Sequence, residues 1–451
     1  MNMTKNLCAA FFLLVQFGAG FLQADDWPQW RGPARDGVWR EKGILERLPE
    51  KLSYRWRAKV GMGYAGPAVA GGRVYLMDRV LGDGEANPDN PFDKKRVNGS
   101  ERILCLDAVS GKVVWKHSYP SNYTISYPYG PRTTPAVSGG KVYCLGAMGD
   151  LLCLDAGSGK VLWSRQCVKD FGAKLNTWGY SSPPLVDGEK LIVLVGGKPG
   201  ACYVAFNKDT GKEIWRGLED TDPGYAPPVI YKAGGVRQLI AWTPTKLAAL
   251  DPETGKEYWR QEFKVNFGLT IPTPIYDPES KRLLVSSFYN GSMMMALDAA
   301  KPSATLLWKG KSDSELPKRT DGLHSIMCTP VFQGGHIFGV CSYGEFRCLE
   351  AATGQRVWKT MEATGQGRWW NAFITRHEDR YFIFNEQGEL IIARLSSKGY
   401  EELSRAQLIE GTRRVQRRKV VWSHPAFAQK CVFVRNDEEI VCVSLAGSAG
   451  K

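Results

Sequence analysis

The residues of this chain best suited to chemistry are a Gly-Lys step, five histidines and a large set of cysteines. The Gly-Lys step lies in LCLDAGSGKVLW, Leu152 to Trp163. A phosphate-binding loop needs G-x-x-x-x-G-K-[ST], because backbone N–H groups wrap the phosphates and a hydroxyl follows the lysine for magnesium. Leu154 stands where the first glycine belongs and Val161 follows Lys160, so a nucleotide is excluded on both counts. His117, His324, His336, His377 and His424 have no metal-ligand spacing, and neither H-E-x-x-H nor G-x-S-x-G occurs. No C-x-x-C is present, which removes the commonest zinc arrangements. Catalytic and metal-ligating residues are therefore expected to be none.

The chain carries a formal charge of +13, which favours anionic partners. Arg413, Arg414, Arg417, Arg418 and Lys419 sit together in RRVQRRK, read either as a solvated loop or as a contact for phosphate, peripheral membrane headgroups or acidic polysaccharide. No nucleic-acid motif accompanies them. Residues 1–24, with Lys5, an apolar run from Leu7 to Phe17 and small residues before Asp25, read as a secretory signal, giving an exported, periplasmic or envelope location. Disulfides form in such a compartment. Cys144 and Cys153 flank one turn symmetrically, as do Cys341 with Cys348 and Cys431 with Cys442, so each pair is either a cross-strand bridge or small-residue packing.

The opening stretch recurs. LCLDAVSGKVVW ends at Trp115, LCLDAGSGKVLW at Trp163, VAFNKDTGKEIW at Trp215, AALDPETGKEYW at Trp259 and RCLEAATGQRVW at Trp358. A looser copy with two extra turn residues ends at Trp308. A period of about 45–50 residues marks a propeller or a related array. The motif needs no ligand: alternating apolar residues make a strand, the Asp or Asn bonds turn N–H groups, the Gly supplies a positive φ, and the Trp docks on the next repeat. Lys160 thus ends a turn.

Upstream of each motif, segments such as GPAVAGGRVYLMD and TPAVSGGKVYCLG supply a proline-initiated strand, a turn and a second strand, completing four antiparallel strands per repeat. Two degenerate repeats, 371–395 and 423–445, follow; EELSRAQLI supplies the fourth strand of the first, and LSYRWRAKV, with Trp56 in the docking position, the fourth strand of the second. The expectation is an all-β, eight-bladed propeller over 53–445, closed by an N-terminal strand, with a leader at 25–52 and a tail at 446–451, working as a monomer.

The pattern [AC]-x-[DN]-x-x-[ST]-G-[KQ]-x-x-W resembles the pyrrolo-quinoline quinone (PQQ) repeat family of eight-bladed propellers. DDWPQWRGPARDG, Asp25 to Gly37, is similar to the leader of secreted members with no established reaction, and the architecture is nearest the outer-membrane assembly propellers of the BamB type. The resemblance implies a periplasmic scaffold without catalysis. The family's enzymes bind PQQ and calcium in the channel, but their adjacent-cysteine pair has no counterpart here.

Residues preceding each opening proline should ring the channel mouth. They are Tyr64, Arg132, Trp178, Tyr180, Tyr225, His324, Arg368 with Trp369 and Trp370, and Trp422 with His424; in the two last pairs Trp370 and His424 are the expected contacts. Aromatic planes beside arginines suit an anionic ligand, a sugar or a peptide, while the same rings would also serve to pack blades together. The polar segment Asp78 to Arg102 interrupts the first blade's hairpin and should project from that face as a lid, a partner contact or an insert. The expected function is binding of a protein partner or anionic ligand, with no cofactor. The alternatives are a PQQ-dependent oxidoreductase and a carbohydrate-binding or carbohydrate-active propeller.

Overall fold

The computed structural model describes residues 25–220 and 222–447; the expected signal at 1–24 and the end of the expected tail lie outside them. Eight four-stranded antiparallel sheets follow one another along the chain, at 68–120, 136–166, 185–217, 229–262, 275–309, 331–360, 372–407 and 426–444 with 54–59. They are blades 1 to 8 of a propeller. First strands of neighbouring blades touch one another around the axis, so each blade runs outward in chain order. Blade 8 takes its outer strand, Tyr54–Lys59, from the N-terminal side, antiparallel to Glu439–Ser444. This closure leaves no sheet unpaired at the chain ends.

The repeated motif explains why the blades dock. Asp107, Asp155, Asn207 and Asp251 accept backbone N–H groups two or three residues ahead, folding the turn. Each glycine that follows lies at positive φ, and it presents bare backbone to the tryptophan of the preceding blade. A Cβ on Gly111 would stand 2.5 Å from Trp56, and one on Gly159 2.5 Å from Trp115. The indoles also donate across the blade boundary: Trp56 to Ala108 at 2.9 Å, Trp115 to Ala156 at 2.9 Å, Trp163 to Lys208 at 2.9 Å and Trp215 to Pro252 at 3.1 Å. Trp308 and Trp358 reach Ala351 and Ser396 at 3.0 and 2.8 Å in the same way. Such a bond contributes about 1 kcal/mol beyond the apolar burial of the ring. Trp259 is the exception. It faces the motif copy with extra turn residues and no glycine, and donates instead to Gln238 of its own blade at 2.7 Å.

All ten described cysteines are free and buried. The possible Cys144–Cys153 bridge is corrected by register: Cys144 lies opposite Leu152 and Cys153 opposite Tyr143, which turns the two thiols to opposite faces of the sheet. Cys431 lies opposite Ser444 and Cys442 opposite Phe433, which places the two thiols on one face of the sheet.

The leader is not a separate segment. Trp27 exchanges backbone bonds with Val69 of blade 1, Pro28 accepts from Val137 of blade 2, and Arg35 donates to Pro183 and Pro184 before blade 3. Trp30 donates to Thr273 at blade 5 and packs on His424 at blade 8, while Trp39 bonds Arg376 of blade 7. The leader therefore threads the propeller axis among the innermost strands. It then crosses blades 7 and 8 through Ile44 and Leu48 to become the closing strand.

Candidate functional face

The face at which the innermost strands begin is roofed by two inserts. The first is the connection between Arg73–Leu81 and Gly99–Asp107, strands longer than the sequence suggested. Asp78 and Arg102, expected as ends of a loop, are opposite one another in the ladder and joined by a forked ion pair at 2.6–2.7 Å. The irregular part is confined to 82–98. Phe92 at its crest, 44% exposed, sets its ring 5.1 Å from Tyr127 and 5.8 Å from Trp369.

The second insert is the basic cluster. Arg413–Val415 and Arg418–Val420 form a two-stranded hairpin whose turn residues, Gln416 and Arg417, both have positive φ. Alternation divides the cluster into two chemistries. Val415 and Val420 turn inward and pack with Tyr127 against Tyr64, Trp178, Trp369 and Trp422. Arg413 and Arg418 are also inward, paired with Asp437 and Glu386 respectively. Arg414, Arg417 and Lys419 remain exposed. The solvated-loop expectation is thus replaced by a hairpin with one buried edge.

Beneath the roof, charge and aromatic planes alternate. Arg413 lies over Tyr64 at 4.0 Å and over Tyr129 at 4.3 Å, and Arg132 over Tyr64 at 4.9 Å. Burial pushes the Tyr64 phenol up against the pull of the two guanidinium charges, and its hydroxyl is enclosed without a hydrogen-bond partner. Arg132 donates to the carbonyls of Gly130, Ser126 and Tyr127 at 2.6–3.0 Å. Arg368 binds Glu315 and the Tyr289 hydroxyl at 3.1 Å each and lies 5.0 Å over Trp369. Glu386 is raised by burial, opposed by Arg418 and by the Trp422 indole, which donates at 2.8 Å. The arrangement can hold flat or anionic groups; among the described residues it assembles no nucleophile with a base.

Of the ring expected from sequence, Tyr64, Arg132, Trp178 and Arg368 stand at the mouth with Trp369 and Trp422. The remainder face elsewhere. Tyr180 donates to Val195 at 2.7 Å and packs over Gly149, joining blades 2 and 3. Tyr225 is buried edge-on behind Trp178. His324 is 1% exposed, its Nδ1 3.1 Å from the Phe288 carbonyl. At the two adjacent pairs the outward residue is the other one. Trp369 has φ +65°, which throws its ring outward and leaves Trp370 packed against Gly365 and Gly344. His424 turns into the channel, 4.5 Å from Trp30, leaving Trp422 at the mouth. Phe92, Val415 and Val420 had no signal in the repeat because they lie on inserts, and Tyr127 because it lies in the connection between blades 1 and 2.

The channel's axis is filled by Trp30, Arg31 and Arg35 of the leader, and no three His, Cys, Asp or Glu side chains among the described residues come together as a metal site. No described helix is long and apolar enough to cross a membrane.

The fold is shared with solved propellers. BamB from Moraxella catarrhalis superposes with a TM-score of 0.56 at 14% identity, covering 89% of this chain and 100% of that one. Quinohemoprotein alcohol dehydrogenase from Comamonas testosteroni gives 0.62 at 14% identity, covering 94% and 81%. A second quinohemoprotein alcohol dehydrogenase, from Pseudomonas putida HK5, gives 0.58 at 12% identity with the same coverage. No curated protein matches the chain in sequence. The family model described as outer membrane protein assembly factor BamB matches residues 99–360, more than half of the chain. With its axis plugged, its mouth roofed and its blades locked by repeated indoles, the chain belongs to the outer membrane protein assembly factor BamB family of PQQ-like propellers.

Proposed function

We propose that this chain is an exported, non-catalytic scaffold that holds an anionic partner, an acidic protein segment or polysaccharide, on the roofed face. One observation carries the reading: three carboxylates beneath the roof are each paired with an arginine, while the exposed cations on the roof itself have no carboxylate partner among the described residues. Glu315, Glu386 and Asp437 pair with Arg368, Arg418 and Arg413. Above them the hairpin presents Arg414, Arg417 and Lys419, and the second half of the loop presents Lys94, Lys95 and Arg96, next to the exposed Phe92 ring. The loop also carries Asp83, Glu85, Asp89 and Asp93, the last of these exposed between Phe92 and Lys94. Export is supported by the signal-like first 24 residues, and a scaffold role by the family's description as an assembly factor.

The test is binding of fluorescent poly-glutamate peptide and of polygalacturonate at 50 and 300 mM NaCl. Binding that weakens with salt, and about tenfold further in an Arg414→Ala, Arg417→Ala, Lys419→Ala triple variant, is expected. Absence of binding to either polyanion at low salt would refute the reading. Binding of neutral glycans, lost in Trp369→Ala, would replace it with the carbohydrate alternative.

A further inference from the structure

Arg31 and Arg35 enter the channel on the leader and are 3% and 5% exposed. All their hydrogen-bond acceptors are neutral. Arg31 donates to the carbonyls of Asp36 at 2.8 Å and Arg35 at 3.4 Å. Arg35 donates to Pro184 at 2.9 Å, Pro183 at 3.3 Å and the Gln29 side chain at 3.3 Å. Its Nε is enclosed and donates to nothing. Asp36, whose field reaches Arg31, is bonded to Arg40.

A buried cation without a counter-charge costs several kcal/mol even when its donors find carbonyls. Three of the protein's other deep arginines have a carboxylate acting on them. Arg347 is bound by Glu345, Arg435 lies in the fields of Asp437 and Asp78, and Arg79 in that of Glu101. Arg35 has no carboxylate acting on it and has a second guanidinium beside it, so burial and Arg31 lower its affinity for a proton to about 9. Besides Asp36, which acts on Arg31 and is itself bonded to Arg40, the titratable groups around the pair are Tyr231, Cys328 and His424, and burial keeps His424 neutral. Two enclosed guanidinium groups on one five-residue stretch, with Arg35 in the field of Arg31 and holding an unused donor, have the chemistry of an oxyanion site.

We infer that a small oxyanion of the carboxylate or phosphate class binds between Arg31 and Arg35 on the propeller axis and supplies the missing counter-charge. It sits beneath the roofed face and is independent of the partner site there. The two sources are separated by titrating inorganic phosphate and acetate in turn, each to 10 mM, into full-length protein in Tris chloride at constant ionic strength. With at least one of them we expect a saturable rise in melting temperature of roughly 2 °C and calorimetric binding at one site per chain. Arg35→Gln is expected to weaken that binding at least tenfold. Should this variant fail to fold, Arg31→Lys, which keeps the charge and loses the planar fork, is expected to weaken it at least threefold. No saturable response to either anion in the unaltered protein, or affinity unchanged in both variants, overturns the proposal.

Discussion

The Trp56 indole donates to the Ala108 carbonyl at 2.9 Å and covers Gly111, so a strand near the N-terminus locks the last blade onto the first. The same contact recurs at Trp115, Trp163, Trp215 and Trp308, so five of the eight blade boundaries share one kind of joint.

The joint can be tested at Gly111. An alanine there would hold φ near +70° and press its Cβ on the Trp56 ring at 2.5 Å. Left-handed strain and overpacking together predict a loss of about 3 kcal/mol in urea unfolding. Gly139→Ala, at φ +56° with open space around it, is expected to lose only about 1 kcal/mol. Equal losses would show that the indole contact does not govern docking.

Acid should loosen the propeller through two histidines. Burial holds His424 down at about 3 and His324 at about 4, whereas both protonate near 6.5 in the unfolded chain. Because the folded values are depressed, the stability they contribute is complete above pH 6.5 and declines as pH falls toward 4. The slope is about 1.4 kcal/mol per pH unit for each, or roughly 4 kcal/mol for both at pH 5. Urea midpoints at pH 7 and pH 5 measure this, and His324→Gln should remove about half of the difference.

Thiol chemistry gives a third check. Denatured without reductant, the protein should titrate ten thiols from the described residues, with Cys8 added in a chain that retains residues 1–24. A count of eight would identify Cys431 and Cys442 as bridged, since they share a face.

The channel geometry predicts no dye-linked alcohol dehydrogenase turnover after addition of PQQ and calcium. The leader holds the axis with Trp30 bonded to Thr273 and Arg35 to Pro184. Measurable turnover, or a quinone absorbance band retained after gel filtration, would refute this expectation.

The blades were legible because their determinants are local and periodic: Asp107, Gly111 and Trp115 lie within nine residues of one another and recur. Even the blade lacking a tryptophan was found, its outer strand at Gly399–Gln407 falling close to EELSRAQLI. The axial position of the leader was not legible. Trp27, Trp30 and Trp39 find their partners at Val69, Thr273 and Arg376, and no periodicity links those positions. RRVQRRK read as a charge run because its one inward valine, Val415, is outnumbered and the second, Val420, falls just beyond it, although R-V-x-x-R-K-V has the alternation of a hairpin edge. At Trp369 and Trp370 only the backbone angle decides which ring faces out.

Residues 27–39 and 54–59 make their backbone contacts with blades 1, 2, 7 and 8, so the full set of their partners exists only once the last blade has formed. Any neighbouring copy offers the segment an identical set of partners. Exchange of this arm between two chains would satisfy both rings at once, so interlocked dimers are the natural misassembly of this protein when it refolds at high concentration.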